Sequence, residues 1–253
     1  MKASSSLRQR LWQAWQRSWF WPARLERHLL YRSLLHAKKY ASGDLLDVGC
    51  GPKPYGSLFA DQVVRYIGVD YPLTLGTLEP MAQGNPDVFA DAVFLPFRDG
   101  CFDTVLCTQV LEHVSRPWVV LEEIARVLQP SGVLIITVPQ EWGIHKAPYD
   151  FYRFTRYGLA YLAQRSGLHV EYLRPRGGFW AMMGQRASGY LDHVFLRPLR
   201  SRHKLLFVAC AGILLGVCAV AQLLGLVLDR IQPLERNTLG YLMIARKPRE
   251  LVS

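Results

Sequence analysis

The chain has 253 residues, half of them hydrophobic and a fifth charged, with a formal charge of +10 at neutral pH. That length fits one large domain or a domain with an insertion, and the charge content excludes a multi-span membrane protein. Within residues 1–40 nine Lys/Arg face a single acid, Glu26. Such a basic end serves nucleic acid or an anionic membrane surface, and beside aromatic and apolar segments it favours the membrane.

Five cysteines form no CxxC pair and have no His at zinc-finger spacing, so they are expected to be reduced, mostly buried thiols of a cytosolic protein. Residues 1–21 place Leu7, Leu11, Trp12, Trp15 and Trp19 on one helical stripe, with Arg10, Gln13 and Arg17 opposite. This is the composition of an interfacial helix, the alternative being a helix docked on its own domain by the same tryptophans. Arg8, Arg10 and Arg17 interrupt any signal-peptide core. Pro22 then opens a second helix reaching about Tyr40, with Leu25, Leu29, Leu30 and Leu34 as its buried side.

From Asp44 onward strands and helices alternate. "DLLDVG" (44–49), "VVRYIGVD" (63–70), "DVFA" (87–90), "FDTVLC" (102–107) and "GVLIITVP" (132–139) are short apolar runs bounded by turn residues. A helical pattern with Val119, Leu121, Ile124, Ala125 and Leu128 apolar precedes the last of these and is ended by "QPSG". A helix near 155–166, the strand "LHVEYLR" (168–174) and a distant final strand "TLGYLMIAR" (238–246) complete the series. Nearly continuous apolar strands alternating with helices predict a parallel sheet covered on both faces.

"LLDVGCGPKPYG" (45–56) runs a buried strand into a loop with Gly49, Gly51 and Gly56. Glycines there permit a tight turn and close ligand approach at the carboxyl end of a strand, where open α/β sheets bind ligands. Asp47 at the strand end suits an ammonium group or the loop itself. Asp70 ends the second strand, 23 residues on, where a carboxylate can take both hydroxyls of a ribose. In "ADAVFLPF" (90–97), Asp91 could accept from an adenine amino group. Taken singly, either acid could instead cap a following helix.

This order of motifs, continued by "FDTVLCTQVLEHV" and "RVLQPSGVLIITVP", resembles the class I S-adenosylmethionine-dependent methyltransferases, and more narrowly the methyltransferase type 11 group. The resemblance covers about residues 40–175 and 237–247. It implies a Rossmann-like seven-stranded α/β sheet, to which this sequence adds N-terminal helices and a helical, apolar insertion before the last strand. It also implies S-adenosylmethionine as methyl donor, with Asp47, Gly49 and Gly51 at its methionine part, Asp70 at the ribose and Asp91 with Ala92 at the adenine. Thr108 and Gln109 would flank the sulfonium. The segment "YPLTLGTLEPMAQGNP" (71–86) departs from the pattern, being too rich in Gly and Pro for the usual helix.

"QVLEHV" (109–114) raises a metal question. Where related methyltransferases use E-x-x-E-H on this element as metal ligands, Gln109 replaces the first acid here. Glu112 and His113 alone make a poor magnesium site, so no metal is expected and the pair reads as hydrogen-bonded. "EWGIHKAPYDFYRFTRYGL" (141–159) is similar to the H-x-x-P-x-D-x-x-R-x-T stretch of many type 11 members. Its crowding of polar groups suits a substrate lid, with His145 as general base and His113, Tyr149, Asp150, Tyr152 and Arg153 toward the acceptor. Asp150–Arg153 as a structural ion pair and Thr155 as a helix N-cap is the other reading.

Residues 205–228, "LLFVACAGILLGVCAVAQLLGLVL", contain no charge and would span about 36 Å as a helix. The final strand must rejoin its sheet, so both ends of this insertion belong to one compartment. Basic residues flank it on both sides, Arg197, Arg200, Arg202 and Lys204 before, Arg230 and Arg236 after. A helix lying in one leaflet beside the tryptophan-striped segment is therefore expected, with Gly212 and Gly216 as a close-packing GxxxG. Burial within the protein or in a homodimer is the alternative. The domain reading is 1–40 amphipathic basic helices, 41–177 methyltransferase core, 178–236 membrane-associated insertion, and 237–253 last strand and tail. The functional expectation is methyl transfer to a lipophilic or lipid-linked acceptor at the cytoplasmic face of a membrane, without nucleic acid. A soluble sugar or metabolite acceptor, or a non-catalytic donor-binding module, are the rivals.

Overall fold

A computed structural model describes residues 24–72, 85–196, 198 and 204–249. The expected tryptophan-striped helix and most of the Gly/Pro-rich segment after Asp70 lie outside the described residues. Two compact units are resolved by their internal contacts: Met1–Tyr31 with Gly177–Leu239, and Arg32–Arg176 with Gly240–Ser253.

The second unit is a seven-stranded sheet. Its strands are β1 (Asp44–Val48), β2 (Arg65–Asp70), β3 (Val88–Phe89), β4 (Phe102–Thr108), β5 (Leu128–Pro139), β6 (His169–Pro175) and β7 (Gly240–Arg246), in spatial order β3-β2-β1-β4-β5-β7-β6. β1 to β5 pair in parallel, and β7 inserts antiparallel between β5 and β6. Continuous apolar runs are what a strand covered on both faces requires. Leu46, Val105, Leu134 and Met243 are accordingly fully buried. The order reverses between β1 and β4, and parallel strands bring their carboxyl ends, with the following loops, to a single edge there.

One boundary differs from the sequence reading. "QPSG" was expected to separate helix from strand, yet Leu128 leaves α3 (Pro117–Val127) and already pairs with Phe102. The register then shifts between Phe102 and Thr104, and Ser131 adopts φ +67°. The Pro-Ser-Gly turn is thus absorbed as an irregularity inside a long strand, because neighbouring backbone on β4 supplies the pairing that local sequence discourages.

A one-turn helix α2 (Gly56–Phe59) follows the glycine loop. α4 (Arg156–Arg165) starts at Thr155, whose hydroxyl accepts from the Gly158 N–H at 3.1 Å, the N-cap of the alternative reading of this loop. α1 (Arg24–Ala37) buries Leu34 and Ala37 in this unit.

In the first unit, α5 (Phe179–Leu191) continues through a π turn (Asp192–Leu196), and α6 (Lys204–Ile231) runs back along it. Small residues decide the approach. A Cβ at Gly184 would stand 2.5 Å from the Ala221 carbonyl oxygen, and one at Gly225 2.5 Å from that of Trp180. Ser188 bridges to the Cys218 carbonyl at 3.2 Å. Asp229 accepts from the N–H groups of Gly178, Trp180 and Ala181 at 2.7–3.1 Å, capping α5 and closing the hairpin base. Gly212 and Gly216 have no such partner among the described residues: nothing lies within 4 Å of a Cβ added at either. The close-packing glycines are Gly184 and Gly225 instead, a pairing visible only once the two helices are aligned.

Candidate functional site

The loops at the carboxyl edge of the sheet gather the sequence-selected residues. After β1 the chain turns through Gly49 (φ +71°) and Gly51 (φ +50°). A side chain at Gly49 would enter the space of Val110, whereas Gly51 faces open space. Asp70 accepts from the Gly51 N–H and from its neighbour Tyr71 N–H, both at 2.7 Å. The acid at the end of β2 therefore fixes the glycine loop directly. Lys53 braces the same loop through Asp87 at 2.5 Å, and Asp87 also receives the Gly68 N–H at 2.7 Å.

Asp47 is buried beneath this loop. Tyr66 donates to its Oδ2 at 2.5 Å, while Oδ1 has no hydrogen-bond partner. Burial pushes its carboxyl up to about 7, against the Tyr66 hydrogen bond that lowers it and with the Asp70 charge that raises it. Asp47 stands out in the sequence as a strand-end acid, whereas Tyr66 does not. The register that sets Leu45 opposite Tyr66 and Asp47 opposite Gly68 is a property of strand pairing, which no local pattern reveals.

Asp47 has a folded pKa above its unfolded value near 3.8, so its contribution is fully present below that value and lost as pH rises through about 7. Melting should therefore fall between pH 5 and pH 7.5, by about 2–4 °C for each kcal/mol lost. Asp47→Asn should flatten that fall, read by scanning calorimetry at both pH values; an unchanged slope would assign the pH dependence elsewhere.

Asp91, exposed after β3, accepts from the Val93 N–H at 3.1 Å, with Ala92 half-buried beside it. The "LPFRD" stretch that follows is held by a brace sequence analysis did not single out. Arg126 donates to the carbonyls of Leu95 and Phe97 at 2.9 and 2.8 Å and pairs with Glu123 and Asp99. Thr108 ends β4, and Gln109 enters the left-handed region at φ +55°. Its side-chain amide donates to the Thr137 hydroxyl on β5 at 3.2 Å.

The loop after β5 is rigidly braced. Arg153 donates to both oxygens of Asp150, at 2.7 and 2.9 Å, and to the carbonyls of Trp142 and Gly143, each at 3.1 Å. The bidentate pair holds the Asp150 carboxyl well below the usual carboxylate range. Asp150 also accepts the His145 N–H at 2.8 Å. Tyr152 donates to the Ser115 carbonyl at 3.0 Å, and the Tyr149 side chain stays exposed. Asp150 and Arg153 thus shape the loop that carries His145.

His113 and His145, 32 residues apart, meet edge to face with ring centroids 4.7 Å apart. Glu112 lies under them, fully buried, with neither carboxylate oxygen hydrogen-bonded. The expected hydrogen-bonded Glu–His pair is not formed: His113 Nε2 stands 3.9 Å from Glu112 Oε1. Burial pushes the Glu112 carboxyl up to about 7 and pulls His113 down. These three groups offer ligand atoms within 4.8 Å of one another, so the third group that adjacent sequence lacks arrives from the β5 loop.

Residues 46–136 match the family model described as a methyltransferase domain. An uncharacterized methyltransferase of Mycobacterium avium (strain 104) is 37% identical over 105 residues, 40% of this chain and 42% of that protein. One from Mycobacterium marinum (strain ATCC BAA-535 / M) is 40% identical over 100 residues, 38% of this chain and 39% of the relative. The chain thus matches about two fifths of these relatives' length. Among solved structures, the [4+2]-cyclase SpnF aligns with TM-score 0.53 and 21% identity over 85% of this chain and 79% of the cyclase. The Burkholderia thailandensis 1,6-didemethyltoxoflavin-N1-methyltransferase, solved with 1,6-didemethyltoxoflavin and S-adenosylhomocysteine, aligns with TM-score 0.50 and 17% identity over 85% and 75%. At such identities the structures establish a shared Rossmann-like fold.

Proposed function

We propose that this chain, a class I S-adenosylmethionine-dependent methyltransferase, methylates a lipophilic or lipid-linked acceptor at the cytoplasmic surface of a membrane. The donor suits the glycine loop on this structure's own terms. Gly51 opens onto free space, and Asp47 Oδ1 is a buried acceptor without a partner, placed for an ammonium group. Asp70 and Asp91 supply carboxylates for ribose and adenine, and Thr108 with Gln109 closes the sulfonium side.

S-adenosylmethionine supplies an already activated methyl, so the protein's contribution is positioning and exclusion of water. The braced loop 141–153 provides the lid for that purpose, with Tyr149 and Tyr152 toward the acceptor. The proton leaving an acceptor hydroxyl or amine departs toward the His113–His145 pair, His145 being the more exposed base.

One observation carries the acceptor class. On α6, Ile213, Val217, Val220, Leu224, Val227 and Ile231 form an outward stripe, whereas Gln222 is buried. Only 28% of the apolar stretch Cys210–Ile231 is covered by the protein. A water-facing helix would show the reverse pattern. The hairpin base is tied at Gly178 and Asp229, and in sequence Arg197, Arg200, Arg202 and Lys204 directly precede the apolar stretch. Carrying those charges across hydrocarbon costs about 2.5–3.5 kcal/mol each on insertion scales, which favours a helix lying flat in one leaflet.

The decisive experiment incubates purified protein with methyl-labelled donor and either membrane lipid extract or aqueous metabolite extract. Label should enter the lipid fraction. Label confined to the aqueous fraction would replace the lipid reading by the soluble-acceptor one, and no label in either would favour a donor-binding module.

A further inference from the structure

We propose that Glu112, His113 and His145 form a binding site for a divalent transition cation of the zinc type. His113 Nδ1 lies 2.6 Å from the Tyr149 carbonyl oxygen, and His145 Nδ1 lies 3.2 Å from that of Gly143. A carbonyl only accepts, so each Nδ1 carries the ring proton and each Nε2 keeps its lone pair. Orientation of a ligating imidazole by such a backbone bond from its far nitrogen is the usual outer support of a metal site.

The third member gives the independent sign. Glu112 is fully buried with both carboxylate oxygens lacking hydrogen-bond partners, while its own backbone carbonyl is engaged by the Phe151 and Tyr152 N–H groups. A buried carboxylate without hydrogen-bond donors is destabilising, and a cation bound to it relieves that cost. His113 Nε2 at 3.9 Å is too far to hydrogen-bond Glu112 Oε1, yet close to the separation of two ligands sharing one ion.

The ligand set selects the ion. Two imidazoles and one carboxylate make a three-residue set of the kind that holds zinc with a position left open, whereas magnesium asks for oxygen ligands and several waters. Arg176, Arg153 and Lys146 act electrostatically on Glu112 and oppose any cation there, so affinity has to come from the two imidazole nitrogens, which suit zinc better than magnesium. Bond lengths of about 2.0–2.2 Å require the ligand atoms, now within 4.8 Å, to draw together by about an ångström, within reach of rotation by the part-exposed His145. Three groups from two loops, Glu112 and His113 after β4 and His145 after β5, are thereby tied together. With the ion bound, both Nε2 lone pairs are engaged, so an acceptor's proton leaves to solvent instead of to imidazole. The ion would replace the imidazoles' part in the proposed methyl transfer, but its test needs neither donor nor acceptor, so either reading can fail without the other.

Full-length protein stripped with chelator is titrated with Co²⁺, read by calorimetry and by the visible absorption of the bound ion. One Co²⁺ per chain should bind, be displaced by Zn²⁺ and resist excess Mg²⁺. Glu112→Gln and His145→Ala should each weaken binding by more than about tenfold with far-UV dichroism unchanged. His145→Ala alone decides if Glu112→Gln does not fold, since the His145 side chain lies on a loop and is one-third exposed. Absent binding by the wild type, displacement by Mg²⁺, or equal binding by wild type and the His145 variant would each overturn the site.

Discussion

Gly49→Arg should abolish measurable S-adenosylmethionine binding, and Asp70→Ala should weaken it about 10–100-fold. At Gly49 two penalties combine. The φ of +71° costs a side-chain-bearing residue about 1–2 kcal/mol, and the added atoms would enter the space of Val110 at the turn itself. An arginine there would also crowd the loop proposed to take the donor. At Asp70 the loss is of charged hydrogen bonds. Its carboxylate now holds Gly51 and Tyr71, and hydrogen bonds to a charged group are each worth about 1.5–3 kcal/mol. Asp70→Asn, which keeps one acceptor oxygen, should fall between. Titration calorimetry on folded variants gives the measurement, and wild-type affinity in both Gly49→Arg and Asp70→Ala would remove the donor site from this edge of the sheet.

Val220→Glu combined with Leu224→Glu should release the protein from anionic vesicles without lowering its melting temperature. Both side chains are more than half exposed, so the folded chain loses little packing when they change. At the membrane each apolar side chain of this size contributes about 1.5–3 kcal/mol when fully buried, so loss of two half-buried ones should weaken partitioning about 10–100-fold. The anionic vesicle adds repulsion of the new charges. Gln222→Leu is the informative contrast. Gln222 faces inward and accepts the Leu25 N–H at 3.1 Å, so this change should lower stability and leave partitioning unaltered. Reporter tags near Ser201 and at the C-terminus should both read the cytoplasmic side. Opposite compartments would require a spanning helix, and a wild-type chain that sediments as a dimer free of vesicles would assign the stripe to self-association.

Much of the fold was legible because its signals are local. Strands β1, β2 and β5 are apolar runs closed by Gly, Asp or Pro, and a parallel sheet needs both faces of each strand covered. The residues proposed for the donor, Gly49, Gly51, Asp70 and Asp91, could be picked out for the same reason: they stand at strand ends, and a strand end is a feature of sequence. Thr155 as an N-cap belongs with them, since capping acts over three residues.

What tertiary structure alone decided are the contacts made across the sheet edge and between helices. Tyr66 reaches Asp47 through strand register, Arg126 holds the loop before β4 from a following helix, and Gly184 meets Ala221 across a hairpin. The chemistry of the β4 and β5 loops shows the division most sharply. Sequence by itself placed Glu112 beside His113 and left that pair without a third group. Chain folding carried His145 over them from 32 residues away, and burial then stripped the Glu112 carboxylate of water without giving it a hydrogen-bond donor. Residue order determines which groups lie within one turn or strand of each other. Desolvation and long-range proximity depend on the packing of the whole sheet, and they set the charge, the lone pairs and hence the reactivity of those groups.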